Sequence, residues 1–331
     1  MTATASAPTL ARDAAPPRPM WHVVLVRPET MTLVLLVLGV IVGSQLSEFF
    51  LDINYILKSF TLYAEFAIVA LVLTMVIIAG EIDLSPASNM ALSACLFAWA
   101  QQAGVPMPLA ILIGLASGVA MGALNGLMVI GLQLPSIIVT IGTLTLYRGL
   151  AQVIAGDKSI RVPEWFTGIN AVFIAGIPVP VIIFIVLSIA LGLVLGTTMF
   201  GRQIYLVGTN EVAARHAGIR SRRIRMALFL MMGFASAVAG LMTASRLGSV
   251  RYDLGLGGEL QMVLMAMLGG TYIFGGRGTI LGTFLAAWLL VIVTTGMIVA
   301  NVLPAWQLCV LGVLLIVSII ATNFIYSRTQ R

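Results

Sequence analysis

Charged residues are scarce in this chain of 331 residues. They make up 9% of it, whereas hydrophobic residues make up 60% and the mean hydropathy is +1.07. A soluble globular domain carries about 25% charged residues, so the composition excludes a soluble protein. It predicts instead an all-α polytopic membrane protein, with room for roughly eight to eleven helices at about 20 residues for each span.

Histidine, lysine and cysteine are also nearly absent, and each absence excludes a class of site. The two histidines, His22 and His216, are too scattered for a metal cluster. Neither Lys58 nor Lys158 follows a glycine in the phosphate-binding pattern G-x-x-x-x-G-K-[ST]. The two cysteines lie in apolar runs, where small core residues are expected rather than a disulfide. We therefore expect no catalytic residue, no cofactor and no metal in this chain.

The charge that is present gathers in one loop, residues 201–225. This loop holds a single acid, Glu211, and six arginines: Arg202, Arg215, Arg220, Arg222, Arg223 and Arg225. Basic residues in short loops resist translocation, so the loop is predicted to face the cytoplasm. The pI near 9.7 then reflects membrane topology, and we predict no binding of nucleic acid. A loop that only sets topology is the alternative to any further role.

The centre of this loop predicts a short helix from Asn210 to Gly218. Asn210 is a good N-cap, Glu211 suits the positive end of the helix dipole, and Gly218 suits the C-terminal stop. Arg215 follows Glu211 by four positions, so the two can pair on one side. Three small residues would form a face able to enter a groove on a partner protein: Ala213, Ala214 and Ala217.

Apolar runs divide the rest of the chain into about ten predicted spans, with eight as the lower bound. They cover about 31–42, 64–79, 89–103, 107–131, 137–154, 179–197, 226–244, 260–274, 279–299 and 303–320. We expect a disordered cytoplasmic tail at 1–29, a membrane domain at 30–322 and a cytoplasmic tail at 323–331. Most of the eighteen basic residues then lie inside, as the positive-inside rule requires. The short segment 260–274 either spans or re-enters.

The predicted fourth span carries a glycine at every fourth position: Gly114, Gly118, Gly122 and Gly126. In lipid, small residues let helices approach closely, and van der Waals packing drives their association. The spacing predicts tight helix packing along this face, but it is not specific for any function.

Five polar residues lie within or at the ends of predicted spans: Glu65, Glu81, Asp83, Asn125 and Arg148. A charged side chain at mid-membrane costs about 2.5–3.5 kcal/mol on insertion scales, so each should face a cavity or a partner. Four residues are expected to shape a substrate path or its gate: Glu81, Asp83, Ser85 and Arg148. The alternatives are a helix-end position with access to water for Glu81 and Asp83, and a structural lock between Arg148 and one of these acids.

Four segments carry a family resemblance. They are AGEIDLSPAS (79–88), LPSIIVTIGTLTLYRGLA (134–151), GTNEVAARHAGI (208–219) and LGGTYIFGGRGTILGT (268–283). In this order they resemble the ribose-type permeases of ABC importers, a group that also includes permeases for xylose, arabinose, rhamnose and autoinducer-2. The sequence looks closer to the rhamnose and autoinducer-2 branches. Where the family commonly has GGIDLSxGS, Glu81 here replaces a glycine and Pro86-Ala87 replaces the small pair.

The resemblance implies a transport subunit of the bacterial cytoplasmic membrane that translocates a sugar or a sugar-like molecule. It also implies partners: ATP-binding subunits that bind ATP and Mg, a periplasmic or extracellular solute-binding protein, and a second permease subunit, identical or a sister chain, all within membrane lipid. The residues that would couple to the ATPase are Asn210, Glu211, Ala213, Ala214, Arg215 and Gly218. A secondary transporter or channel for a small polar solute is the alternative, and a membrane enzyme lacks a catalytic constellation.

Overall fold

The computed structural model describes residues 28–46, 48–168 and 172–329. The predicted N-terminal tail lies outside these residues, except for its last two positions. The described helices are α1 (Pro28–Leu46), α2 (Ile53–Thr61), α3 (Ala64–Ile78), α4 (Pro86–Gln102), α5 (Met107–Gly126), α6 (Ser136–Ala155), α7 (Glu164–Thr167), α8 (Val179–Thr197), α9 (Met199–Thr209), α10 (Glu211–His216), α11 (Ser221–Leu247), α12 (Gly258–Leu268), α13 (Ile280–Val299) and α14 (Pro304–Thr329).

Six of the described helices are long and apolar enough to cross a membrane. A seventh span results if α2 and α3, which meet at 68°, form one broken span. The six are α5 with its π-helical extension Leu127–Gly131, α6, α8, α11, α13 and α14. Helices α1 and α12 are shorter apolar segments. The fold is therefore that of a mostly helical, polytopic membrane protein.

Two predicted boundaries are wrong at the basic loop. The chain is helical over α9, where a loop was predicted, and α11 begins at Ser221 rather than near 226. Arg222, Arg223 and Arg225 therefore belong to a helix, which fixes the direction of each side chain. Helix α14 continues to Thr329, so the predicted C-terminal tail begins within a helix.

The segment 260–274 is not one continuous helix. Helix α12 ends at Leu268, and the chain then turns through Gly270, Gly275 and Gly276, which all have φ between +77° and +87°. An L side chain is strained in this left-handed region. Eleven residues of α12 rise about 16 Å, which is half of the hydrocarbon thickness of about 30 Å.

The fold is not purely helical, because two pairs of short antiparallel strands occur among the described residues. Strand β1 (Ile160–Arg161) pairs with β4 (Ser249–Val250), and β2 (Phe173–Ile174) pairs with β3 (Ile177–Pro178). Both pairs lie in connections between long helices. The first pair joins the connection after α6 to the end of α11.

Helix α3 runs through the middle of the bundle, and all of its residues except Phe66 are buried. It is apolar on every side, as expected of a helix surrounded by other helices. Helix α11 packs against it and also against α4 and α5. A hydrogen bond between the hydroxyls of Thr74 and Thr283, 2.6 Å apart, joins α3 to α13.

The face of α5 with glycines at every fourth position lies against α11 and α4. A Cβ added to Gly118 would lie 2.6 Å from the carbonyl oxygen of Gly233, and one added to Gly126 would lie 2.7 Å from the sulfur of Met226. The amide of Asn89 in α4 donates to the carbonyl oxygen of Gly118 at 3.2 Å. At Gly118 no side chain larger than hydrogen fits without movement of a backbone, whereas at Gly126 the Met226 side chain would have to move.

Three connections meet at one end of the bundle, which we call the basic end: residues 79–85, 199–225 and 269–279. The backbone N–H of Gly276 donates to the carbonyl of Ile78 at 2.7 Å, and the hydroxyl of Tyr205 donates to the carbonyl of Gly278 at 2.7 Å. A Cβ added to Gly208 would overlap the carbonyl oxygen of Ile78. These connections therefore touch through their backbones.

Helix α1 begins at the basic end, and helix α14 ends there. The hydroxyl of Thr279 donates to the carboxylate of Glu29 at 2.8 Å, and the hydroxyl of Tyr326 donates to the carbonyl of Gly270 at 3.0 Å. The opposite end, which we call the distal end, contains the β1–β4 pair. There the hydroxyl of Ser245 donates to the carbonyl of Phe166 at 2.6 Å.

Candidate functional site

Helix α10 lies at the basic end and is capped as its sequence predicts. The side-chain oxygen of Asn210 accepts a hydrogen bond from the backbone N–H of Ala213 at 3.0 Å, which is the geometry of an N-cap. At the other end, Gly218 has a φ of +80°, which reverses the chain toward α11. The helix proper is shorter than predicted, since it covers Glu211–His216 and has Ala217 as its C-cap.

The predicted small face of α10 is divided by the fold. Ala214 is 4% exposed and packs within its own chain, whereas Ala213 and Ala217 are exposed. Val212, which the sequence did not single out, is 65% exposed. The expectation that Ala214 enters a groove on a partner is therefore wrong, because its side chain packs against the rest of this chain. The surface that α10 offers outward is formed by Val212, Ala213 and Ala217.

Glu211 holds α10 to the start of α11. Its carboxylate accepts hydrogen bonds from Arg215 at 2.6 Å, from the Ser221 hydroxyl at 3.0 Å and from Arg225 at 3.4 Å. Partial burial acts to raise the pKa of Glu211, but the hydrogen bonds from Arg215 and Ser221 and the positive charge of Arg225 outweigh it and lower the pKa from its ordinary value. The carboxylate is therefore ionised at neutral pH.

Arg225 also forms an ion pair with Glu81, and this is the contact that sequence reasoning missed. The side chain of Glu81 is only 9% exposed and that of Arg225 is 16% exposed. Glu81 lies in the connection between α3 and α4, three residues after α3 ends. The one signal in the sequence that Arg225 is partly buried was its position between Ile224 and Leu228. Both of these apolar residues are buried in α11.

Asp83 and Ser85 belong to a buried polar network inside the protein. One oxygen of Asp83 accepts hydrogen bonds from the Ser85 backbone N–H at 2.9 Å and from its hydroxyl at 2.7 Å. The amide of Asn125 donates to the Ser85 hydroxyl at 2.8 Å, and the Tyr147 hydroxyl donates to the Asn125 oxygen at 3.0 Å. The network links the start of α4 to α5 and α6, so these polar groups are satisfied within the protein.

Arg148 does not pair with Glu81 or Asp83, so the predicted structural ion pair of Arg148 with one of these acids is wrong. Its guanidinium donates to the carbonyl oxygens of Tyr252 and Leu254 at 2.8 and 2.7 Å, and so holds the connection before α12. The four predicted path residues are therefore not one site, because Arg148 lies toward the distal end and Glu81 lies at the basic end.

Glu65 finds its partner in Arg246, whose Nε donates to the carboxylate at 2.8 Å. The Glu65 side chain is fully buried. Helix α11 runs antiparallel to α3. Arg246 pairs with Glu65 at the start of α3 at the distal end, and Arg225 pairs with Glu81 in the connection after α3 at the basic end. No other charged residue lies between Glu65 and Glu81 or between Arg225 and Arg246.

A cavity of about 580 Å³ opens at the basic end. Its polar lining comes from Glu81, Gln133, Ser136, Glu211, Arg215, Arg222 and Arg225, and its apolar lining comes mainly from the turn between α5 and α6. Such a mixture of donors, acceptors and apolar surface suits a small hydroxylated solute. Within the described residues, no group of three or more His, Cys, Asp or Glu side chains is arranged to hold a metal ion.

Comparison with known proteins places this arrangement in a family. The family described as "Branched-chain amino acid transport system / permease component" matches residues 55–319. The chain is 35% identical over 303 residues to the autoinducer 2 import system permease protein LsrD of Escherichia coli (strain K12), and the match covers 89% of this chain and 92% of the relative. The same protein from Escherichia coli O9:H4 (strain HS) and Shigella flexneri matches equally well.

No solved structure gives a significant match to the chain. The family match nevertheless covers the three connections that meet at the basic end, and it confirms the family predicted from the four segments. The chain therefore belongs to the branched-chain amino acid transport system permease family, as a multi-pass permease subunit of an ABC importer in the bacterial cytoplasmic membrane.

Proposed function

We propose that this permease carries a sugar or sugar-like solute, of the rhamnose and pentose class or autoinducer-2, and that a separate ATPase docked on α10 drives the transport. The observation that carries the proposal is the construction of α10. Its outward surface, formed by Val212, Ala213 and Ala217, is exposed, while Glu211 fixes the helix to the body of the protein through Arg225. A rigid element transmits a domain movement that a flexible loop would absorb.

The ATPase is proposed to cover the exposed side of α10. Val212 and Ala213 would enter a groove on the ATP-binding subunit, which holds the ATP and Mg. The N-cap at Asn210 and the turn at Gly218 keep the helix from fraying at either end. This chain itself then needs no nucleotide site.

The proposed topology has ten passes with both termini in the cytoplasm. The passes are α1, α3 with its bent partner α2, α4, α5, α6, α8, α11, the half-length α12, α13 and α14. The topology is supported by Glu29 and Tyr326, which lie at the basic end together with the arginines. The positive-inside rule assigns such an end to the cytoplasm.

The substrate proposal rests on the relatives and on the cavity chemistry. The relatives are named for import of autoinducer 2. A polyhydroxylated solute needs both donors and acceptors, and Glu81, Gln133, Ser136 and Arg225 supply both around the cavity. A second permease subunit would complete the path, and a periplasmic or extracellular binding protein would deliver the solute to the distal end.

The test is uptake by the complex reconstituted in proteoliposomes with its ATPase and binding protein. Uptake of radiolabelled rhamnose, pentoses and autoinducer-2 is measured with ATP, without ATP and with a non-hydrolysable analogue. We expect uptake of one of these solutes only with ATP. Uptake driven equally well by an ion gradient without ATP would overturn the proposal in favour of a secondary transporter.

Docking on α10 is tested separately with two neighbouring variants. Ala213→Glu adds a charge to the exposed surface, so it should abolish co-purification of the ATPase while the permease keeps its folded yield. Ala214→Glu buries the same charge inside the chain, so it should lower the folded yield itself. If the Ala213→Glu variant retains the ATPase and transports normally, α10 is not the docking element.

A further inference from the structure

The basic end contains a continuous series of contacts that leads from α10 to the edge of the cavity. Its first step is the carboxylate of Glu211, which accepts hydrogen bonds from Ser221 at 3.0 Å and from Arg225 at 3.4 Å. Both of these partners belong to α11. A displacement of α10 therefore acts directly on Ser221 and on the Arg225 guanidinium.

The second step is the ion pair of Arg225 with Glu81, which joins α11 to the connection after α3. The Nε of Arg225 is buried and has no hydrogen-bond partner among the described residues. The guanidinium is thus held by two carboxylates, Glu81 from the membrane side and Glu211 from α10. Because both side chains of the Glu81 pair are nearly buried, water screens this contact much less than an exposed ion pair.

The third step runs from Glu81 through the next residue to the start of α6. The backbone N–H of Ile82 donates to the Ser136 hydroxyl at 3.1 Å, and the Thr140 hydroxyl donates to the Ile82 carbonyl at 3.2 Å. Ile82 is therefore held on both of its backbone polar groups by the first turns of α6. A shift of Glu81 must move α6 or break these bonds.

The series ends at the turn that precedes α6. Gln133 in this turn has a φ of +55°, a conformation that costs a non-glycine residue energy, and its side chain is exposed on the cavity rim. The turn, residues 132–135, is followed directly by Ser136. A small displacement of Ser136 therefore changes the width of the cavity opening.

We infer that Glu81 is a positioning residue that transmits the movement of α10 to the turn at residues 132–135, and so couples ATP hydrolysis to opening of the cavity. The inference rests on the proposed docking of an ATPase on α10. Without the Glu81 carboxylate, Arg225 would lose its partner on the α3–α4 connection, and this link would be absent.

The test compares Glu81→Gln with the parent in the reconstituted complex. Three quantities are measured: co-purification of the ATPase, the rate of ATP hydrolysis, and the amount of solute moved for each ATP. We expect unchanged assembly and hydrolysis, with a roughly 2- to 30-fold loss of solute moved for each ATP, the range in which mutations along a coupling network act. Glu81→Asp keeps the charge and should restore most of the coupling.

The matched control is Asp253→Asn, the same change from carboxylate to amide in an exposed ion pair with Arg251 at the distal end. It should leave all three quantities at the parent values. A Glu81→Gln complex that moves as much solute for each ATP as the parent overturns the inference, and so does one that loses the ATPase. If the parent complex shows no ATP-driven uptake, the proposed function fails instead.

A second measurement keeps the test decisive if Glu81→Gln folds poorly. A spin label at Gln133 in the otherwise native complex reports the mobility of the turn with and without trapped ATP. We expect the spectrum to change with the ATP state in the parent and in the Glu81→Asp variant. A label that is insensitive to ATP in the parent complex would contradict the inference without any use of the Gln variant.

Discussion

Gly118 and Gly233 face each other across the contact between α5 and α11. A Cβ added to Gly118 would lie 2.6 Å from the carbonyl oxygen of Gly233, and a Cβ added to Gly233 would lie 3.0 Å from the carbonyl carbon of Gly118. The two backbones are thus in direct contact. In a membrane, where lipid tails remove most of the hydrophobic gain between helices, this close approach supplies the van der Waals energy that holds them together.

Gly118→Ala is therefore expected to destabilise the protein. The added methyl group must push α11 away, and overpacking of this kind costs about 1–3 kcal/mol. Thermal unfolding of the purified protein in detergent should show a lower midpoint and a lower folded yield. Gly196→Ala in α8 is the matched control, because its added Cβ would meet nothing within 4 Å. Equal midpoints for the two variants would mean that the α5–α11 contact can relax.

Arg246→Met is expected to destabilise the protein more strongly. The substitution leaves the fully buried carboxylate of Glu65 without its partner, and removal of one member of a buried pair costs about 3–5 kcal/mol. The double variant Glu65→Leu/Arg246→Met removes both charges and should recover much of this loss. Unfolding midpoints of both variants and the parent test the prediction. A double variant no more stable than Arg246→Met would show that the pair contributes through packing alone.

The proposed orientation predicts which cysteines can be labelled from outside. In a Cys309→Ser background, Leu256→Cys lies in the distal connection and Val212→Cys lies on α10, and both native side chains are exposed. A membrane-impermeant maleimide added to intact spheroplasts should label the cysteine at 256 and spare the one at 212. Lysis should make 212 reactive. Labelling of 212 before lysis would reverse the orientation.

Glu211 predicts how the attachment of α10 depends on pH. Its pKa is lower in the folded protein than in the unfolded chain, so its stabilising contribution is complete above the unfolded pKa of about 4.3 and is lost as the pH falls through the lower folded value. Amide exchange over residues 210–218 should thus be slow and constant from about pH 8 to pH 5, after correction for intrinsic rates.

The variant Glu211→Gln provides the comparison. It should exchange faster than the parent throughout that range, and the difference should shrink only in stronger acid. Arg202→Gln is a suitable control, because Arg202 bonds to the Thr197 carbonyl and lies outside the Glu211 cluster. A parent protein whose α10 loosens between pH 5 and pH 7 would contradict the assignment of Glu211 as the holding group.

Local signals in the sequence predicted the elements that depend on local chemistry. The run from Val179 to Thr197 matches α8 at both ends because Pro178 and the polar residues after it bound the apolar stretch. The cap at Asn210 and the turn at Gly218 located α10, since both act within a few residues. Helix α9 was missed because its polar residues resemble those of a loop, although they lie on one side of a helix.

Pairings between distant segments could not be predicted in the same way. Glu81 and Arg225 are far apart in the chain, and nothing near either residue indicates the other. Arg148 was expected to seek a carboxylate, but an arginine has five N–H donors and is also satisfied by backbone carbonyls such as those of Tyr252 and Leu254. The burial of Ala214 likewise could not be predicted locally, because it depends on the part of the bundle against which α10 packs.

Two ion pairs, one with α3 and one with the connection that follows it, restrict how α11 can move. If α11 slid along α3 by one helical turn, about 5.4 Å, the salt bridges of Glu65 and Glu81 would break together, and the fully buried Glu65 carboxylate would lose its partner. If α11 instead tilted about the Glu65–Arg246 contact, only the contact of Glu81 with Arg225 would open. The transport cycle should therefore involve a pivot at the distal end of the bundle, with the largest excursion at the basic end.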